Sequence, residues 1–286
     1  MNKNNLAGIF ILSLLITYTP NLLAQCPTGD VILANQAEVN TFVANYGNCT
    51  SLPGSLTIGD DSEPIVSSDI FNISGLSSLT NVSGDLVISA NPLLESLAGL
   101  DNLVSVNQSL KILDNDNLSV LGALNSVTSV GLFLDIIGND ALTILSGLNN
   151  IDVGLSTSII NNDNLNSITG LNNLDNGRAL IIGENDNLLS ISGLNNHSPG
   201  LATAFLNNVN LVDVSGFSVI SNNSMLIIRG NTSLDICSAD GICSLISAPL
   251  AHEIENNGSN CSTEFDIDVQ CLNAHPVTLL LSLIHI

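Results

Sequence analysis

Four aspartates recur at a fixed spacing: Asp116, Asp140, Asp163 and Asp186, each directly after an asparagine. Asp114 and Glu184 stand beside them in the stretches "LKILDNDNLSVLGAL" and "LIIGENDNLLSISGL". Carboxylates grouped in this way can do three kinds of work. They can bind calcium, a hard cation that takes carboxylate and carbonyl oxygens. They can serve as acid and base in glycoside hydrolysis, which needs two carboxyl groups in unlike environments. They can also shape turns, because Asp and Asn tolerate bends and exposed charges are well screened. The repetition favours turns. Stacked about 5 Å apart, like groups repel one another and offer no distinct acid and base. Calcium is the metal candidate for Asp116, Asp140, Asp163 and Asp186, helped by Asp114, Glu184 and the asparagine side chains. No other cofactor is expected.

The elements that hold these acids are repeats. Anchor asparagines fall at Asn91, Asn115, Asn139, Asn162, Asn185, Asn208 and Asn231, a period of 24 residues and then 23. A leucine follows each anchor by three residues, as at Leu118, Leu142 and Leu165, and an apolar residue precedes it by three, an isoleucine at every anchor but Asn208, where it is Phe205. A period in the twenties marks a solenoid, in which each coil buries its apolar side only by stacking. The "L-x-I" piece alternates inward and outward, as a short strand does. The asparagine follows at a bend, where its amide can satisfy backbone groups left unpaired. Apolar residues then recur every third position with Gly or Ala beside the last, which suits a tightly wound wall. The expected fold is mainly β: a right-handed parallel β-solenoid of about eight 23–24-residue coils with short helical, disulfide-bonded caps. Such a rod would be roughly 40 Å long.

The ends of the chain differ from its middle. "MNKNNLAGIFILSLLITYTPNLLAQ" has an early Lys, an apolar run and Leu22-Leu23-Ala24, so residues 1–24 are expected to be a secretory signal peptide. Gln25 is too large for the small residue that lipoprotein processing at Cys26 would need. The last six residues, "LSLIHI", match the translation of a transposon adapter, so 272–286 are expected to be a non-native read-through tail. Between the ends lie an N-terminal cap with a helix (25–54), the repeats (55–236) and a C-terminal disulfide cap (237–271). Cys26 and Cys49 precede the repeats, and Cys237, Cys243, Cys261 and Cys271 follow them. An even count in a secreted chain reads as disulfides. Cys26–Cys49 should be one bridge; the other four allow three pairings.

Charge and composition narrow the function. Four Lys and Arg against 26 acids give a formal net charge of −22, which repels nucleic acid and anionic membranes alike. No nucleophile–His–acid set or phosphate loop is visible, and His197 and His252 are the histidines outside the tail. A solenoid polysaccharide lyase would need a basic residue near calcium, and beyond the leader only Lys111, Arg178 and Arg229 are available. The chain is therefore not expected to be an enzyme. The outward strand positions carry a positive clue: Val87/Ser89, Lys111/Leu113, Asp135/Ile137, Ser158/Ile160, Ile181/Gly183, Ala204/Leu206 and Ile227/Arg229. Nearly every coil exposes one large aliphatic, and such a stripe suggests a partner surface. The candidate binding residues are Lys111, Leu113, Ile137, Ile160, Ile181, Leu206 and Arg229, with a protein ligand favoured over a surface glycan or a structural spacer, because the chain has no Trp and its outward strand positions are expected to hold no aromatics.

A family resemblance points the same way. "NCTSLPGSLTI" (48–58) and "GLSSLTNVSGDLVISAN" (75–91) resemble the opening and an internal repeat of the receptor L domain, the ligand-binding module of insulin and epidermal growth factor receptors. "NQAEVNTFVANYGNC" (35–49) is similar to that family's N-terminal cap helix, tied by a disulfide to the start. With its leader, the chain resembles the secreted L-domain-like proteins of Bacteroidota over 26–271. The resemblance implies an extracellular or cell-surface protein that binds a protein ligand through the outward face of its sheet. The chain departs from the animal domains in its regular repeat, its few basic residues and its Asn-rich turns.

Overall fold

The computed structural model describes residues 26–60, 66–172, 174–194, 200–217, 225–246 and 252–274. The expected signal peptide, His197 and all but the start of the expected tail lie outside these residues. The described chain is mainly β, and all its strand pairings are parallel. The long sheet takes its strands in sequence order: β1 (Val31–Leu33), β2 (Leu56–Gly59), β3 (Leu86–Ser89), β4 (Leu110–Leu113), β5 (Phe133–Ile137), β6 (Ser156–Ile160), β7 (Ala179–Gly183), β8 (Ala202–Leu206), β9 (Met225–Arg229) and β10 (His252–Glu255). A second sheet is built from two-residue strands such as Asn81–Val82, Ser105–Val106 and Ser129–Val130. Isolated parallel bridges, Ile144 to Ser167 to Ser190 to Asp213 to Ile236, form a third side. This architecture fits a parallel β-solenoid.

Alternation decides what each strand buries. Ile88, Ile112, Ile136, Ile159, Ile182, Phe205 and Ile228 share one register row, and each is fully buried. Two residues earlier run Leu86, Leu110, Leu134, Thr157, Leu180, Thr203 and Leu226, also buried. The second sheet adds Val82, Val106, Val130 and Val153 from its side. Turn leucines such as Leu118, Leu142, Leu165 and Leu188 complete one continuous core.

The bend after each strand has its own chemistry. The residue before the anchor adopts a left-handed conformation, with φ between 52° and 75° at Ala90, Asp114, Gly138, Asn161, Glu184, Asn207, Gly230 and Asn256. That conformation costs a side chain about 1–2 kcal/mol, least for Asn and Asp. The anchor asparagine behind it is buried and stitches the bend to its neighbours. Asn139 Nδ2 donates to the carbonyls of Ile112 (2.9 Å) and Ile137 (3.1 Å) and to Asn162 Oδ1 (3.3 Å). The ladder runs from Asn91, whose Oδ1 accepts from Ser68 Oγ at 2.6 Å, to Asn257, which accepts from Asn231 Nδ2 at 3.1 Å. Glycine is required at the far wall. At Gly147 φ is +119°, and a Cβ would strike the Leu121 carbonyl of the preceding repeat.

Helices and disulfides close both ends. Helix α1 (Gln36–Tyr46) buries Val39 and Phe42 and packs beside β1 and the short turn Ser74–Leu76, and Asn35 caps it by accepting from Glu38 N–H at 3.0 Å. Cys26 is bonded to Cys49. At the other end α2 (Asp240–Ile246) and α3 (Glu264–Ala274) are joined by Cys243–Cys271, and Cys237 is bonded to Cys261. Each cap is also pinned by a glutamine. Gln36 Oε1 accepts from Phe71 and Asn72 N–H, both at 3.0 Å, while Gln270 Oε1 accepts from Cys237 N–H at 3.1 Å and its amide donates to Asp235 and Asn260 carbonyls. The long sheet runs on into both caps through β1 and β10, beyond the 55–236 span that the periodicity marks out.

Candidate binding surface

The outward face of the long sheet is organised in three register columns. One holds Ser89, Leu113, Ile137, Ile160, Gly183, Leu206, Arg229 and Glu255. The next holds Val87, Lys111, Asp135, Ser158, Ile181, Ala204, Ile227 and Glu253. The longer middle strands add a third, with Phe133, Ser156, Ala179, Ala202 and Met225.

These columns sort the sequence-derived candidates. Leu113, Ile137 and Ile160 are lateral neighbours on β4, β5 and β6, and each is half-buried. The apolar track does not continue straight to Leu206, because Gly183 interrupts that column. Ile181 stands in the adjacent column, between Ser158 and Ala204. Val87, Ser89 and Ala204 are buried, so the outward positions at both ends of the candidate track are not uniformly open. Phe133 (38% exposed) and Met225 (37%) extend the apolar surface and were not among the candidates. A two-position strand reading omits them; the strand extensions "LFLDII" and "SMLIIR" carry the signal.

The charged members of the face are tied to acids. Arg229 Nη1 lies 2.6 Å from Glu253 Oε1 and 3.8 Å from Glu255 Oε1, both on β10. Lys111 stands in register with Asp135. Burial raises the Asp135 pKa above the ordinary carboxylate value, while a hydrogen bond to Ser158 and the charge of Lys111 draw it down. The face is therefore apolar at its centre and close to charge-balanced at both positions expected to be basic.

Asp116, Asp140, Asp163 and Asp186 all sit exposed, one residue after the buried asparagine ladder. Their backbones are part of the stacking: Asn164 Nδ2 donates to the Asp140 carbonyl at 2.7 Å, and Asn210 Nδ2 to that of Asp186 at 2.8 Å. The packed turn removes part of the hydration of Asp140 and raises its pKa; Asp163 and Asp116 raise it further, and the Asp163 N–H lowers it. Asp114 and Glu184 occupy the left-handed turn position. Among the described residues, no group of three or more His, Cys, Asp or Glu is arranged to hold a metal ion.

His252 lies on β10 in register with Leu226, and its ring nitrogens are buried without a hydrogen-bond partner among the described residues. Among those residues, no helix is long and apolar enough to cross a membrane. No family model, curated protein or solved structure matches the chain.

Proposed function

We propose that this protein is a non-catalytic binding or adhesion module of the extracellular space or outer cell surface. It recognises a protein ligand through the outward face of its long sheet. In this reading the fold is a right-handed solenoid of about eight coils, similar to the receptor L domain, and Lys111, Leu113, Ile137, Ile160, Ile181, Leu206 and Arg229 form the contact region. The observation that carries it is the lateral alignment of Leu113, Ile137 and Ile160 on three adjacent strands. Aliphatic side chains held on a rigid sheet suit the dry centre of an interface, and the charges beside them suit its rim. The three disulfides agree with an oxidising compartment.

A glycan-binding accessory role is the second reading, favoured by the exposed ring of Phe133 on the same face. Affinity capture from host or surface protein extracts separates the two. The double substitution Ile137→Asp with Ile160→Asp should abolish protein capture with an unchanged circular dichroism spectrum. Retained capture would remove this face as the interface. Binding only to polysaccharide, lost on Phe133→Ala, would install the glycan reading.

A further inference from the structure

Among the described residues of the C-terminal cap, the most exposed apolar side chain is Phe265, 73% accessible on α3. At about 100° per residue, Ile267 and Cys271 turn α3 toward the core, where both are buried. Phe265 and Val269 (39%) then share the opposite side, at positions i and i+4. A capping helix needs one apolar stripe, and this one has two. The second stripe is bordered by acids. Glu264 and Asp268 flank it on one side, and Asp266 flanks it on the other. Among the described residues no Lys or Arg pairs with any of the three; Arg229 is engaged with Glu253. Self-association through this side would bring together two chains of net charge −22, which opposes a second copy as occupant.

We propose that the outer side of α3 is a docking surface for a cationic amphipathic helix of a partner protein. The apolar row of that helix covers Phe265 and Val269, and its Lys or Arg rows meet Glu264, Asp268 and Asp266. The surface belongs to the cap rather than to the sheet face, so it does not depend on the sheet-face reading.

The test titrates the full disulfide-bonded chain with a synthetic amphipathic helix made only of leucine and lysine, and with its leucine–glutamate counterpart. Saturable binding of the lysine peptide alone is expected. The charge-neutral pair Phe265→Ser with Val269→Ser should weaken it by about tenfold or more. Glu264→Gln with Asp268→Asn should weaken it and reduce its salt dependence. Equal binding to the wild type and the serine variant would overturn the proposal, since bulk attraction to an acidic chain would then explain the result. Preference for the glutamate peptide would also overturn it, as would no binding of either peptide. So would a sedimentation-detected dimer that the serine pair dissolves, because a second copy would then be the occupant.

Discussion

Asn115 donates twice to one atom of Asn139: its backbone N–H lies 3.2 Å and its Nδ2 3.1 Å from Asn139 Oδ1. The same double contact joins Asn162 to Asn185 and Asn208 to Asn231. Each buried amide thus satisfies the bend of the neighbouring repeat as well as its own, and the scaffold under the outward face is cross-linked repeat by repeat.

Replacing Asn139 with Ala strands the Asn115 N–H and takes a donor from the Ile112 carbonyl. Leaving buried groups unsatisfied costs about 1–3 kcal/mol each, so urea titration should show a loss of roughly 3 kcal/mol or more. Asn164→Ala, which removes two exposed bonds, one to the Asp140 carbonyl and one from Asn187 Nδ2, should cost under about 1 kcal/mol. Similar losses at both positions would contradict the ladder as a distinct stabilising element.

Thr157 and Thr203 interrupt the inward leucine column, fully buried, and neither hydroxyl has a hydrogen-bond partner among the described residues. Substituting Val keeps the shape and removes the unsatisfied group. Thr157→Val should therefore raise stability by about 1–2 kcal/mol, read as a higher melting temperature. A lower melting temperature would mean that the hydroxyl is satisfied, for instance by an internal water.

Much of this was legible in the primary sequence, for identifiable reasons. Asn91 to Asn231 mark the bends because a stacked amide demands one residue type at one spacing. Asn257 continues the ladder but falls 26 residues after Asn231, behind a changed flanking pattern, and so escapes a periodic reading. Placing Ile181 in one track with Ile160 counts one aliphatic per repeat, whereas the column depends on strand register, and Gly183 holds that place. The strand β10 lies inside the expected disulfide cap because "HEIE" is polar on its outward side and short. The apolar pair Phe265 and Val269 of α3 is hard to see in "EFDIDVQC" because acids alternate with its apolar residues there.

The core assignment is tested by paired substitutions. Leu142 is fully buried, so Leu142→Ala should cost about 2–5 kcal/mol through transfer and cavity terms. Ile137, half-buried on the outward face, should tolerate Ser at far smaller cost. Equal losses would contradict the strand register.

The Asp140 carboxyl is raised above its unfolded value, so ionisation weighs against the folded state. Its penalty is absent below the unfolded value, develops as pH rises through the folded value, and is fully present at neutral pH. Asp140→Asn should stabilise the protein at pH 7, and the gain should vanish in acid. Millimolar calcium should leave the melting curve where EDTA leaves it. A calcium-dependent rise that Asp140→Asn with Asp163→Asn abolishes would replace the turn account with a bound metal.

The central claim is that the outward face, not the stacked wall behind it, meets the ligand. It is tested by titrating the captured protein partner against two charge-matched variants: Ile137→Asp with Ile160→Asp on the face, and Leu189→Asp with Val212→Asp on the exposed wall. Two carboxylates buried in an interface centre should weaken binding about a hundredfold or more, while the wall variant should bind as the wild type does. Equal affinity for the face variant and the wild type, or equal loss in both variants, would contradict it.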